Sequence, residues 1–313
     1  MMKRRSQYGR LFGAASCWKR SLVLLSMAVF LSAACGRTLP EEGTGERDGY
    51  RLVWSDGFND GELDAGKWTC ADDGWGGGNA ELQYYLPSQI SVDRDLADGR
   101  GCLVLTASRK SYGNKSFVSG KVHSKEKFAF TYGKIEASIK LPQTANGLWP
   151  AFWLLGADID TNPWPGCGEI DIMEMGHADG IAGSLQDRLF NGAGHWGELR
   201  DNDHPHAAGF QQAPYSLQDG EYHLYTLFWD PDSIRMYLDL DRRPDAEPYF
   251  TMDISDRSEA GAFFHHDFYV IFNLAVGGTY PVLFDPSEIT ALPADSSARM
   301  YVDFVKVYQK RDS

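Results

Sequence analysis

The first 40 residues of this 313-residue chain contain no aspartate or glutamate. Lys3, Arg4, Arg5, Arg10, Lys19 and Arg20 make that stretch strongly basic. Apolar runs are short. Ser21–Ala34 (SLVLLSMAVFLSAA) has the length of an export-signal core and is too short to cross a bilayer comfortably. Cysteine is scarce, with five in all. Cys17 and Cys35 belong to the N-terminal region, which leaves Cys70, Cys102 and Cys167. That odd number excludes a disulfide framework, and the spacing excludes a finger-type zinc site. One disulfide with one free thiol, or three thiols, both fit. No internal repeat or linker divides the chain after residue 50, and no segment holds a 3.6-residue apolar period for long. A helical bundle is therefore excluded.

The small residues Ser32-Ala33-Ala34 before Cys35 resemble a bacterial lipoprotein processing site, with Leu31 one place further from the cysteine than usual. Residues 1–35 are expected to be a signal peptide of that type, lipidated at Cys35. Ordinary secretion is the alternative. Residues 36–49 (GRTLPEEGTGERDG) are polar and suit a flexible tether. Residues 50–313 are expected to form one folded domain, exported to the outer membrane or cell surface, or else to the periplasm or medium. Membrane contact is expected only through the lipid.

Without the six basic residues of the leader, the chain has 24 basic residues against 43 acidic ones, a net −19. Such a body repels nucleic acid and anionic membranes and suits an uncharged partner. A monomer is expected. Hydrophobic residues make up 43% of the chain, enough for a sizeable core.

Strand signals dominate. Tyr132–Leu141 alternates Ile135, Ala137, Ile139 and Leu141 with Lys134, Glu136, Ser138 and Lys140, the period of a half-buried strand. Tyr50–Trp54, Cys102–Ala107, His223–Trp229, Ile234–Leu238, Phe268–Val276 and Met300–Tyr308 read the same way. Many short strands between polar turns predict a β-sandwich or barrel. Residues 157–167 and 177–220 read as long loops with little strand character.

Glu169, Asp171 and Glu174 crowd into six residues. On a regular strand Glu169 and Asp171 share a face, but Glu174 would point into the core with Ile170 and Ile172. Burying that charge is costly. A one-residue β-bulge at Ile172–Met173 brings Glu174 back beside the other two. Three converging carboxyls repel one another, which drives their pKa values apart. Retaining glycoside hydrolysis needs that pairing of an ionised carboxyl with a protonated one. A calcium site and a solvated acidic face are the other readings of the spacing alone.

Gly147–Gly156 (GLWPAFWLLG) followed by Cys167–Glu174 (CGEIDIME) resembles glycoside hydrolase family 16, in its laminarinase-like endo-β-1,3-glucanase branch. Val53–Asn59 (VWSDGFN), Asn79–Tyr85 (NAELQYY), Ser119–Ser124 (SGKVHS), Gly194–Gly197 (GHWG), Asn273–Gly278 (NLAVGG) and Tyr301–Gln309 (YVDFVKVYQ) continue it in order.

The resemblance implies an all-β jelly-roll sandwich of two antiparallel sheets, with an open cleft on the concave face. It implies Glu169 as nucleophile, Glu174 as acid/base, and Asp171 hydrogen-bonded to the nucleophile. Trp149 and Trp153 are implied as sugar platforms, with a place in the core as the other reading of each. Asn79, Glu81, His195 and Trp196 are implied as further substrate contacts. No cofactor is required for the chemistry. Asp303 matches a calcium-ligating position, whereas Gly57 stands where the family often has a Glu near that calcium. Ala80 and Lys121 replace a usual Asn and Arg. The histidine pairs His204/His206 and His265/His266 are weak metal candidates.

The expected activity is endo-hydrolysis of β-1,3- or mixed-linkage β-1,3/1,4-glucan. Galactans of the agar, porphyran or mucin type are the alternative substrates. Transglycosylation is open to the same intermediate, and a non-catalytic glucan-binding protein is the alternative of another class.

Overall fold

Side chains expected to point inward from residues 132–141 do so: Ile135, Ala137 and Ile139 are fully buried and Leu141 nearly so. The same alternation, repeated along the chain, builds two sheets over one core. The computed structural model describes residues 46–47, 49–201 and 203–311. The signal segment, Cys35 and most of the tether lie outside the described residues. Contacts gather Thr44–Ser313 into one unit.

In chain order the strands begin with β1 (Glu46–Arg47), β2 (Tyr50–Asp56), β3 (Thr69–Cys70), β4 (Gln83–Tyr85), β5 (Ile90–Arg94) and β6 (Gly101–Ser108). They continue with β7 (Phe117–Ser119), β8 (Lys121–His123), β9 (Ala129–Phe130), β10 (Gly133–Lys140), β11 (Leu148–Gly156), β12 (Glu169–Met175) and β13 (Leu189–His195). The remainder are β14 (His206–Gln212), β15 (His223–Trp229), β16 (Ser233–Leu238), β17 (Phe250–Asp253), β18 (Phe268–Val276) and β19 (Ser297–Lys310).

One sheet runs β17-β16-β15-β10-β19-β6-β7-β4, with β5 beside β6, β2 beside β19 and β1 beside β2. The other runs β14-β13-β12-β11-β18-β8-β3, with β9 against β18. The pairing is antiparallel throughout, except for the short parallel match of β4 with β7. This is the expected two-sheet jelly roll. The acidic strand β12 lies inside the second sheet, between β11 and β13, where both edges are hydrogen-bonded and its position is fixed.

Residues 177–220 differ from the expectation. They contain the short helix α1 (Ala178–Ala182) and two paired strands, β13 and β14. Glycine hides the β13 signal. A Cβ on Gly192 would lie 2.5 Å from Met236 Sδ, and one on Gly194 would lie 2.7 Å from Met252 Cε. Core side chains from the facing sheet fill the space that β-branched residues normally take.

Cys70, Cys102 and Cys167 are all free thiols. Burial and the neighbouring Glu169 and Asp158 push the Cys167 thiol up to about 12, so it is not a nucleophile at neutral pH. No helix among the described residues is long and apolar enough to cross a membrane.

Candidate active site

Strand β12 carries the expected bulge. Along β11, Phe152 pairs with Met173 and Trp153 with Asp171, so Ile172 has no partner. Along β13, Asp171 faces Ala193 and Glu174 faces Asn191, so two residues oppose the single Gly192. The tyrosine hydroxyl of Tyr249 donates to the Ile172 carbonyl and satisfies a bulge acceptor from the core side. Ile170, Ile172 and Met173 are fully buried in the core. Asp171 and Glu174 lie on the opposite face with Glu169.

Each carboxyl has its own surroundings. Glu174 accepts Trp149 Nε1–H at 2.9 Å on one oxygen and Asn191 Nδ2–H at 3.0 Å on the other. Tyr280 donates its hydroxyl to Asn191 Oδ1. Asp171 Oδ2 lies 3.1 Å from His195 Nε2, at an angle poor for a hydrogen bond. Glu169 is the most open of the three. Ligand atoms of Glu169, Asp171 and His195 lie within 4.8 Å of one another.

Burial raises all three carboxyls. Repulsion from Asp171 and Glu174 adds to the rise at Glu169, while His195 and Lys121 oppose it. Glu174 adds to the rise at Asp171. At Glu174 the donors from Asn191 and Trp149, with His195, oppose the rise. Burial and mutual repulsion therefore push the row toward its protonated form, against a different set of opposing groups at each carboxyl.

The residues expected to meet sugar divide into groups. Trp149 and Trp153 share a face of β11, with the small Ala151 between them, while Phe152 and Leu154 fill the core. Trp153 remains partly exposed, and its Nε1–H donates to Asn273 Oδ1 at 2.7 Å. Lys121 stands 5.1 Å from the Trp153 ring centroid and 5.7 Å from that of Tyr85. Trp149 is not an open platform: it is 8% exposed, and the Tyr280 ring stacks on it at 4.7 Å and 11°.

Glu81 is buried and accepts from both Gln83 and Tyr85. Asn273 donates to Tyr85 at 3.1 Å, so a polar chain runs from Glu81 to Trp153. Asn79 is partly exposed and accepts the Thr279 amide on its carbonyl. His195 faces the acidic row and bonds His204 through Nδ1 at 2.8 Å. Trp196 is partly exposed. It lies just past β13 and packs against the core beside Phe264. Asn191, Tyr280, Asn273 and Tyr85 join the site without having been expected there, and their signal was hidden by long-range pairing.

Asp303 offers calcium a poor fit. Its Oδ2 is bound by Arg100 at 2.7 Å, and Arg100 also pairs with Asp98. A cation there must displace a guanidinium. His265 bonds Tyr132 at 2.6 Å and His266 bonds the Cys167 carbonyl at 3.1 Å, so that pair is engaged elsewhere. Among the described residues, neither histidine pair joins a group of three metal-ligating side chains.

An antiparallel jelly roll with a row of carboxyls on the face of β12 turned away from the core is the arrangement of the carbohydrate-cleaving glycoside hydrolase class. Residues 52–310 match the family description "Beta-porphyranase A-D, GH16 domain". The chain belongs to glycoside hydrolase family 16, whose chemistry needs no cofactor.

It is 33% identical over 281 residues to a glucan endo-1,3-beta-glucosidase A1 of Niallia circulans, covering 84% of this chain and 38% of that protein. It is 30% identical over 305 residues to a beta-glucanase of Rhodothermus marinus, covering 93% and 94%. A family 16 enzyme of a Bacteroides ovatus mixed-linkage glucan locus, solved with a G4G4G3G product, is 40% identical at a TM-score of 0.72, covering 82% of this chain and all of that one.

Proposed function

We propose that this chain is a retaining endo-hydrolase of β-1,3- or mixed-linkage β-1,3/1,4-glucan, with Glu169 as nucleophile and Glu174 as acid/base. The observation that carries the reading is the bulge, which sets Glu174 beside Glu169 and Asp171 on the face of β12 turned away from the core. Asp171, its pKa raised by burial and by Glu174, is assigned to hydrogen-bond Glu169 and tune its ionisation. Ionised Glu169 attacks the anomeric carbon. Glu174 starts with a proton of its own and delivers it to the departing oxygen as that oxygen's bond to the anomeric carbon breaks, and the sugar is held as a glycosyl ester of Glu169. Glu174, now ionised, takes a proton from water, which hydrolyses the ester and restores the row. Trp153 offers its open ring face to a sugar.

The relatives named above support β-glucan as substrate, since two are called glucanases or glucosidases of glucan and the third holds a mixed-linkage product. One observation favours a second reading: the matching family description names a porphyranase, which points to galactan. Product profiling on laminarin, barley mixed-linkage glucan, agarose, porphyran and mucin glycans decides between them. Oligosaccharides from laminarin or barley glucan are expected, and release from galactans alone would overturn the glucan reading. Glu169→Ala and Glu174→Ala are each expected to lower kcat by at least about 10³-fold. Near-normal turnover by either would remove its assigned role.

We propose further that residues 1–35 direct export, that Cys35 carries lipid, and that residues 36–49 tether the catalytic domain 50–313 to a membrane. Mass spectrometry of the membrane-extracted protein is expected to find a diacylated N-terminal Cys35. An unmodified Cys35 would contradict the anchor.

A further inference from the structure

Both donors to Glu174 meet at one side chain outside the acidic strand. Tyr280 follows β18 in the segment Gly278–Leu283, whose ends bridge to each other. Its carbonyl accepts the Ala178 amide at 3.1 Å, and its ring meets His177 edge-on at 4.9 Å, so its backbone and ring are both held. The hydroxyl donates to Asn191 Oδ1, and the ring lies flat on Trp149. A primary amide has a donor end and an acceptor end. A hydroxyl proton delivered to Oδ1 turns Nδ2–H toward the facing carboxylate.

We propose that Tyr280 is a positioning residue for Glu174. Its hydroxyl fixes the amide of Asn191 and its ring fixes the indole of Trp149, so that both N–H groups aim at the same carboxylate. Tyr280 needs no contact with the reacting atoms to do this. The inference rests on Glu174 as acid/base only for its kinetic consequence, because the geometry also holds in the resting protein.

The titratable groups that act on Glu174 or on its donors are Glu169 and Asp171 on its own strand, His195 on β13, and Tyr280 after β18, whose ring meets His177 just past β12. Tyr280→Phe removes one oxygen from this set and keeps the ring stack. The Asn191 amide then loses its orientation, and the Glu174 anion loses part of one donor. The Glu174 pKa is expected to rise by about 0.5 to 1 unit. The basic limb of kcat/KM moves up with it, and kcat falls about 3- to 10-fold. Tyr280→Ala also releases Trp149 and is expected to shift the limb further.

The test is a double-mutant cycle. Glu174 is titrated by carboxyl carbon NMR in the full chain, with pH–rate profiles alongside. Expected is an upward shift for Tyr280→Phe in the wild-type background and none in an Asn191→Ala background, or in Asn191→Ser if the alanine variant does not fold. An equal shift in both backgrounds, or no shift in either, overturns the proposal. The NMR titration needs no turnover. If Glu174→Ala kept its activity while the cycle behaved as expected, the acid/base assignment would fail and the positioning role would stand.

Discussion

Ala80 sits at φ +56°, a left-handed conformation that alanine adopts at a cost and that asparagine or glycine adopts more readily. The side chain is exposed, so an asparagine there meets no core packing. Ala80→Asn is expected to stabilise the fold by about 0.5 to 1 kcal/mol, read from urea denaturation; a loss of stability would contradict the strain. The carboxyl row has the opposite character, because it costs stability to keep. The raised values at Glu169, Asp171 and Glu174 mean that the folded chain holds protons the unfolded chain has released. That contribution is intact below the unfolded carboxyl value of roughly 4, and it is lost as pH climbs through the raised values. Asp171→Asn stays neutral at every pH. Its Tm gain is expected to be absent near the unfolded carboxyl value and to reach about 2 °C or more at neutral pH, while activity falls. Calorimetry at both ends of that range checks this, and equal gains at both would contradict it.

Strand β12 was legible because one residue broke its rhythm. Glu174 falls on the core side of a regular strand, a placement too costly to accept, so the offset itself predicts a bulge. Deleting Ile172 makes the row regular, with Glu169, Asp171 and Glu174 at alternate positions on one face. The deletion variant is expected to fold and to retain more activity than Glu174→Ala; activity no higher than that of Glu174→Ala would show that the bulge does more than set the face. Strand β13 was not legible. Its pattern LFNGAGH lacks the branched residues of a strand because Met236, Phe250 and Met252 crowd against Gly192 and Gly194. That reason lies in the other sheet, some 40 to 60 residues later in the chain. The same distance concealed Asn191 and Tyr280. It also concealed the duty of Trp149, whose indole serves a carboxylate under a tyrosine lid and is not left open for sugar.

At the scale of the whole chain, the net −19 that remains once the six basic residues of the first 20 are set aside bears on the proposed substrate. A neutral glucan carries no charge for that field to act on, so KM on laminarin or barley glucan is expected to change little between low and high salt. A sulfated galactan would be repelled, and its KM would fall steeply as salt rises. A strong salt dependence on the preferred polysaccharide would favour the galactan reading. The central claim is narrower than the choice of sugar: Glu169 attacks carbon and holds the product as an ester. A 2-deoxy-2-fluoro β-glucan oligosaccharide with an activated leaving group slows breakdown of that ester more than its formation. Peptide mapping by mass spectrometry after incubation with this reagent is expected to place one glycosyl adduct on Glu169; an adduct on Glu174 or Asp171, or release of the inverted anomer without any adduct, would contradict the account.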